Sequence, residues 1–266
     1  MGMLPLGWAT DVAVLEHMGS TVRDRGDHLV VRSPDQPLYH WGNCLFVTDP
    51  DAVDDAARWL AVFESEVPEA DWIAIGLAQM PRDASGWAEH GLELNLVEVL
   101  ATSILPRQTP APDGCTVRAL VGDDWERLID RQVAENNLTG QYEPVLHERF
   151  MRARAEAQRD LCARGVAMFV GAFADERLVG ELGVVRCGTT ARYQDVGTDG
   201  AYRRRGIASH LLGVAAAWAA DQGCNQWVIV TEAVNPAGRV YRNAGFELDV
   251  PHVAVYRAPP VSVLPS

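Results

Sequence analysis

The stretch from Ala191 to Glu232 constrains the fold more than any other part of the chain. A strand-like run, "ARYQDVGT" (191–198), leads into "YRRRGIASHLL" (202–212) and an apolar helix pattern that continues to Gln222 and stops at Gly223. A second strand-like run, "QWVIVTE" (226–232), follows. A helix joining two strands of one sheet is a crossover connection, so these strands are expected to run parallel.

The elements around this unit read clearly. "CTVRAL" (115–120) alternates as a strand, and Asp123 and Asp124 stand where a helix cap belongs before an apolar-periodic stretch, Trp125 to Val133. "ENNLTGQYEP" reads as a loop, and Pro144 opens a long helix that Gly165 ends. Residues 166–173, 178–186 and 191–198 form three β-rich runs separated by short polar turns, the signature of an antiparallel meander. After strand 226–232, Asn235-Pro236 begins a short helix to Ala244, and "FELD" and "HVAVYR" close the order as two strands.

The first half repeats parts of this pattern. "DWIAIGLA…GWAEHGLELNLVEVL" (71–100) parallels "QWVIVTEA…RVYRNAGFELDVPHVAVY" (226–256), with Trp72 matching Trp227 and Gly91 matching Gly245. Upstream, "DHLVVRS" and "LYHWGNCLFVT" serve as meander strands and 51–66 as the crossover helix, which implies a tandem of two like folds. The proline-rich "PRQTPAPDG" (106–114) reads as the linker. The expected division is therefore residues 1–108, residues 114–257 and a flexible tail at 258–266.

Composition narrows the partners. The chain has 266 residues, 48% of them hydrophobic, and carries 23 Lys and Arg against 36 Asp and Glu, a net charge of −13. So negative a surface repels phosphate backbones and argues against nucleic acid. The five cysteines are odd in number with no C-x-x-C, which reads as reduced thiols in a cytoplasmic protein, and neither they nor the seven histidines cluster as metal ligands. No apolar run reaches the ~20 residues of a membrane span, and the N-terminus lacks a signal-peptide pattern.

The chemistry begins at Arg203–Ser209. The first N–H groups of a helix lack partners inside it, and that end attracts anions. Gly206 allows φ > 0 and close approach of an oxygen, Ala208 keeps the next position small, and Arg203, Arg204 and Arg205 add forked donors suited to phosphate. The expected ligand is a diphosphate; a solvated basic helix start is the plainer alternative.

Arg203-x-x-Gly206-x-Ala208 after a meander, Asn235 after the fifth strand, Tyr241 on the next helix and Gly245-Phe246 opening the strand beyond it together resemble the GNAT superfamily of acyl-CoA-dependent N-acyltransferases. The resemblance covers about 115–257. It implies an α/β fold with a mixed sheet, two such domains in tandem, and acetyl-CoA as co-substrate with no metal. It also implies transfer to a primary amine of a small molecule or peptide in a direct ternary complex, with a homodimer allowed. By the same resemblance, pantetheine pairs with the fourth strand at Val196, Gly197 and Thr198, where Gly197 suits a bulge. Arg203, Arg204, Arg205, Gly206, Ile207, Ala208 and Ser209 hold the diphosphate, Asn235 the pantetheine arm, and Tyr241 is the general acid.

Glu181, Asp195, Asp199 and Glu232 are the candidate bases, Glu181 first among them. Arg192, Gln194 and Gly197 stand where many relatives carry an acid on the fourth strand, which counts against a direct carboxylate base. Glu135 and Glu143 lie where the acceptor site is shaped. In the first half, Asp49, Asp51, Asp54 and Asp55 occupy the place of the phosphate loop and would repel CoA, so residues 1–108 read as a degenerate copy, with Trp8, Trp41, Trp59 and Trp87 as core. The competing readings are a CoA-binding sensor without catalysis and an interaction platform.

Overall fold

The computed structural model describes residues 4–259, so most of the expected tail lies outside the described residues. The chain divides into two compact units. Among the described residues, Gly19–Glu98 joins with 251–259 in the first, and Pro5–Met18 joins with Val99–Val250 in the second. This differs from a division at the 106–114 linker: the helix at the chain's start belongs with the second half, and its last strand belongs with the first. The choice of a strand's neighbour is a long-range contact, which a local pattern does not encode.

The first unit contains β1 (Thr21–Asp24), β2 (His28–Arg32), β3 (Cys44–Val47), α2 (Ala56–Glu66), β4 (Ile73–Leu77) and α3 (Ser85–Glu89), with the start of β5 (Glu93–Thr102) and β12 (His252–Arg257). β1, β2 and β3 pair antiparallel, and α2 crosses to β4, which lies parallel to β3. β12 pairs antiparallel with β4 and β5. Its apolar alternation places Val253 and Val255 in the core with Leu45, Ile75, Trp59, Phe63 and Trp87. Trp59 and Trp87 are fully buried, and Trp41 is half-buried.

The second unit holds α1 (Leu6–His17), β6 (Thr116–Ala119), α4 (Asp124–Thr139), α5 (Pro144–Ala163), β7 (Ala167–Ala174), β8 (Arg177–Cys187), β9 (Thr190–Thr198), α6 (Ile207–Asp221), β10 (Gln226–Glu232), α7 (Ala237–Asn243) and β11 (Glu247–Leu248). The sheet order is β5–β10–β9–β8–β7–β6, with β11 on β5. The meander is antiparallel, and β10 is parallel to β9 as the crossover requires. Side chains alternate along the strands, so the sheet buries both faces. One face packs Val184, Ala191, Tyr193 and Ile229 against Leu211, Leu212 and Ala215 of α6 and Tyr241 of α7. The other packs Phe169, Leu178 and Val185 against Trp125 and Leu128 of α4, Met151 and Ala155 of α5 and Val14 of α1; Trp8 of α1 is buried as well.

Two local expectations give way. The helix expected to stop near Val133 runs to Thr139, where Gly140 takes φ 66°. Buried Asn136, a weak helix former, is held there because its amide exchanges two bonds with the Tyr142 backbone, at 3.0 and 2.9 Å. Asp123 makes no side-chain cap; buried Asp124 instead accepts from the Val121 N–H and pairs with Arg118 and Arg127. Those partners hold its carboxyl below the usual range, the hydrogen bond from Arg118 first.

Candidate active site

β9 and β10 begin together and then part. Their parallel pairing covers only Thr190–Arg192 against Gln226–Val228, although β9 continues to Thr198 and β10 to Glu232. A wedge opens between the strands where one edge of β9 is unpaired, while its other edge stays on β8 as far as Thr198 opposite Gly180.

The cause lies within β9. Gly183 faces Gln194, but Glu181 faces Gly197, so one residue of β8 stands opposite two of β9. That is a β-bulge, which bends its strand. The bulged residue is Asp195, at φ 48°, rather than Gly197. A non-glycine residue held left-handed costs about 1–3 kcal/mol and needs support from its surroundings. Asp195 has it: Arg154 and Gln158 of α5 donate to its carboxylate at 2.9, 3.1 and 2.6 Å.

Gly197 is required for a different reason. A Cβ there would run into the Glu181 carboxylate and the Arg131 guanidinium. Glu181 is 1% exposed, pairs with Arg131 and accepts from Gln132 of α4 at 2.6 Å. A carboxylate held by a guanidinium is a weak base, because the charged partner favours its ionised form. Asp199 is engaged too, accepting from the Ala201 N–H and from Arg177. Glu232 is exposed at the end of β10, and among the described residues no cation pairs with it. Arg192 is buried, and Asp11 of α1 accepts from it at 2.6 Å. No sequence signal linked residues 11 and 192.

Past the wedge, the chain makes one turn of 3-10 helix at Gly200–Tyr202 and reaches the arginines. Arg204 (φ 62°) and Gly206 (φ 82°) are both left-handed. Such turns let successive N–H groups converge on one side. The first ladder bond of α6 runs from the His210 N–H to the Gly206 carbonyl, and no side chain caps the helix. The N–H groups of Ile207, Ala208 and Ser209 thus have no acceptor within the helix. Nothing lies within 4 Å of where a Gly206 Cβ would sit. Arg203, Arg204 and Arg205 are exposed; Arg203 donates to the Thr198 carbonyl at 3.2 Å, and Arg205 lies over the Tyr202 ring at 4.8 Å. Open amides flanked by guanidinium groups fit a diphosphate.

On α7, Tyr241 is 5% exposed, and burial pushes its phenol up to about 12, so it is protonated at neutral pH. The Asn235 side-chain oxygen accepts from the Ala237 N–H at 2.9 Å, in a turn just before α7. Glu143 caps α5 through the N–H groups of Val145 and Leu146, and Glu135 pairs with Arg131 at 3.1 Å.

The corresponding place in the first unit is closed. β3 and β4 remain paired to their last residues, Val47 and Leu77, so no wedge forms. Asp49 accepts from the Asp51 N–H, Asp54 from Arg82 and Asp55 from Arg58. At the start of α2 the Arg58 N–H meets the Asp55 carboxylate and the Ala56 N–H meets the Asp54 carbonyl, so the chain itself takes part of the amide set an anion would need.

Residues 132–246 match the model of the Acetyltransferase (GNAT) family. No curated protein is similar to the chain in sequence. Among solved structures, a GCN5-related N-acetyltransferase from Kribbella flavida superposes with TM-score 0.63 at 15% identity, covering 98% of each chain. Another from Sphaerobacter thermophilus gives 0.56 at 17%, over 88% of this chain and 82% of its own. A tandem GNAT protein from the clavulanic acid biosynthesis pathway gives 0.54 at 12%, over 96% and 95%. On the fold of a tandem GNAT protein, the chain thus carries an acetyltransferase domain of the GNAT family over residues 132–246, and by that domain it is an acyltransferase.

Proposed function

We propose that the second unit transfers an acetyl group from acetyl-CoA to a primary amine within one ternary complex. The observation that carries this reading is the wedge between β9 and β10, which leads to an uncapped helix start flanked by arginines. Pantetheine extends the sheet along the free edge of β9 at Val196–Thr198, and the amides of Arg203–Ser209 bind the diphosphate. The amine nitrogen attacks the thioester carbonyl, and backbone N–H groups of β9 stabilise the resulting oxyanion. The carbon–sulfur bond breaks, and the thiolate takes a proton from Tyr241, which is neutral at the start of the step, and the tyrosinate then takes a proton from water. The amine's own proton leaves to water in the wedge. Glu181, bound to Arg131, supports β9 and takes no proton. The first unit binds no CoA, because its strands do not part and Asp55 caps the start of α2.

The test is calorimetry with acetyl-CoA, followed by free-thiol release with a panel of amines. Gly206→Glu sets a carboxylate among the amides and is expected to weaken acetyl-CoA at least tenfold. Unchanged affinity refutes the loop assignment. Binding without thiol release from any amine favours a CoA sensor over an enzyme.

A further inference from the structure

Beside the phosphate loop, between α4 and the start of β8, lies a cavity of about 660 Å³. That volume suits a small organic ligand. Its wall is unusual for a chain of net charge −13. Arg127 and Arg131 line it from α4, Arg177 from β8 and Arg203 from the loop. Facing these four guanidinium groups are three carboxylates, Asp130, Glu135 and Asp199. Leu138 and Leu178 add apolar surface.

Arg131 is the informative member. Its side chain is only 9% exposed, Glu181 and Glu135 take its two terminal nitrogens, and its Nε is buried with no partner. Burial draws its pKa down, against the upward pull of Glu135. A buried N–H without an acceptor is costly. Arg127 stands one helical turn away with its side chain 36% exposed; it pairs with Asp124 at 3.1 Å and Glu176 at 3.6 Å, and a carboxylate between the two arginines adds charge-assisted hydrogen bonds to those pairs. A dianion such as a phosphate fares worse there, since it must also face the three carboxylates. Glu135 pairs with Arg131 and, at 3.8 Å, with Arg203, and Asp199 pairs with Arg177, so an ammonium group here shares carboxylates that arginines already hold.

We propose that this cavity receives the acceptor amine and that the acceptor is a zwitterion, bearing a carboxylate as well as its amine. The role as acceptor rests on the acetyl-transfer reading above; the binding chemistry rests on the cavity alone. The carboxylate lies against Arg131 and Arg127, with the ammonium toward Asp199 and Glu135 until it loses a proton and attacks.

Calorimetry on the full chain, without acetyl-CoA, tests the binding. The probes are the twenty L-amino acids, β-alanine and γ-aminobutyrate, each beside its carboxamide. At least one acid is expected to bind ten times more tightly than its amide. The acid preference is expected to fall at least fivefold in Arg127→Gln, a variant that leaves the Arg131–Glu181 pair intact, with acetyl-CoA affinity unchanged. No acid preference anywhere in the panel overturns the proposal, and so does a preference that survives in Arg127→Gln. Acetyl-CoA binding, titrated separately, reports on the activity reading. Failure there with the acid preference present removes the acceptor role and leaves the zwitterion site.

Discussion

Gly197→Ala tests how the bent strand is supported. Gly197 is not left-handed, so alanine is acceptable to the backbone and any cost arises from collision. The new methyl group meets the Glu181 carboxylate and the Arg131 guanidinium, both at least nine-tenths buried at their side chains. Inserting a methyl into a packed site costs about 1–3 kcal/mol. Breaking a buried ion pair by removing one partner costs about 3–5 kcal/mol. Here the pair is pushed aside rather than lost, so a destabilisation of about 3 kcal/mol in urea unfolding is expected, between those ranges. The same substitution in a Glu181→Ala background should cost at least about 1 kcal/mol less, because the colliding carboxylate is gone and neighbouring sites couple. A loss below about 0.5 kcal/mol, the level of an ordinary surface change, refutes the collision. Strict additivity of the two substitutions refutes the role given to Glu181.

Three further outcomes follow from the same geometry. Tyr241→Phe should lower kcat by about 10²–10⁴ with acetyl-CoA affinity within twofold, the range for one general acid; equal turnover in a stopped thiol assay removes Tyr241 from the chemistry. The Tyr241 phenol, raised from 10.0 to about 12 by burial, favours the folded state fully below pH 10, and this contribution is lost as pH rises toward 12. Relative to Tyr241→Phe, the parent chain should therefore lose about 2–3 kcal/mol across that window in urea titrations, and parallel curves would show that the phenol is not buried. Asp55→Ala removes the side chain that accepts from the Arg58 N–H at 3.1 Å. Loss of such a cap costs about 0.5–2 kcal/mol, and calorimetry of the variant should still show no second acetyl-CoA site per chain, because β3 and β4 stay together; a second site would show that the Asp55 cap alone closes the first unit.

Much of the site could be read along the chain because its signals are local. Gly206 before an apolar helix marks an uncapped start, Gly223 marks the end of that helix, and a helix between two strands makes those strands parallel. Asn235 and Tyr241 also fall in one short segment, so their order alone placed them on and before α7. The bulge was read at Gly197 since glycine usually marks one, yet it sits at Asp195, where Arg154 and Gln158 from a distant helix hold a strained residue in place. Gly197 is glycine because of an ion pair that bridges α4 and β8.

Local spacing determined the elements, the tandem order and the open start of α6 after the arginines, since caps, turns and periodicity act within a few residues. Tertiary structure decided which carboxylates are tied down, that β12 completes the first unit while α1 joins the second, and that four arginines line one cavity. Each of those depends on contacts between residues far apart in the chain, and such contacts leave no pattern in a short window of sequence.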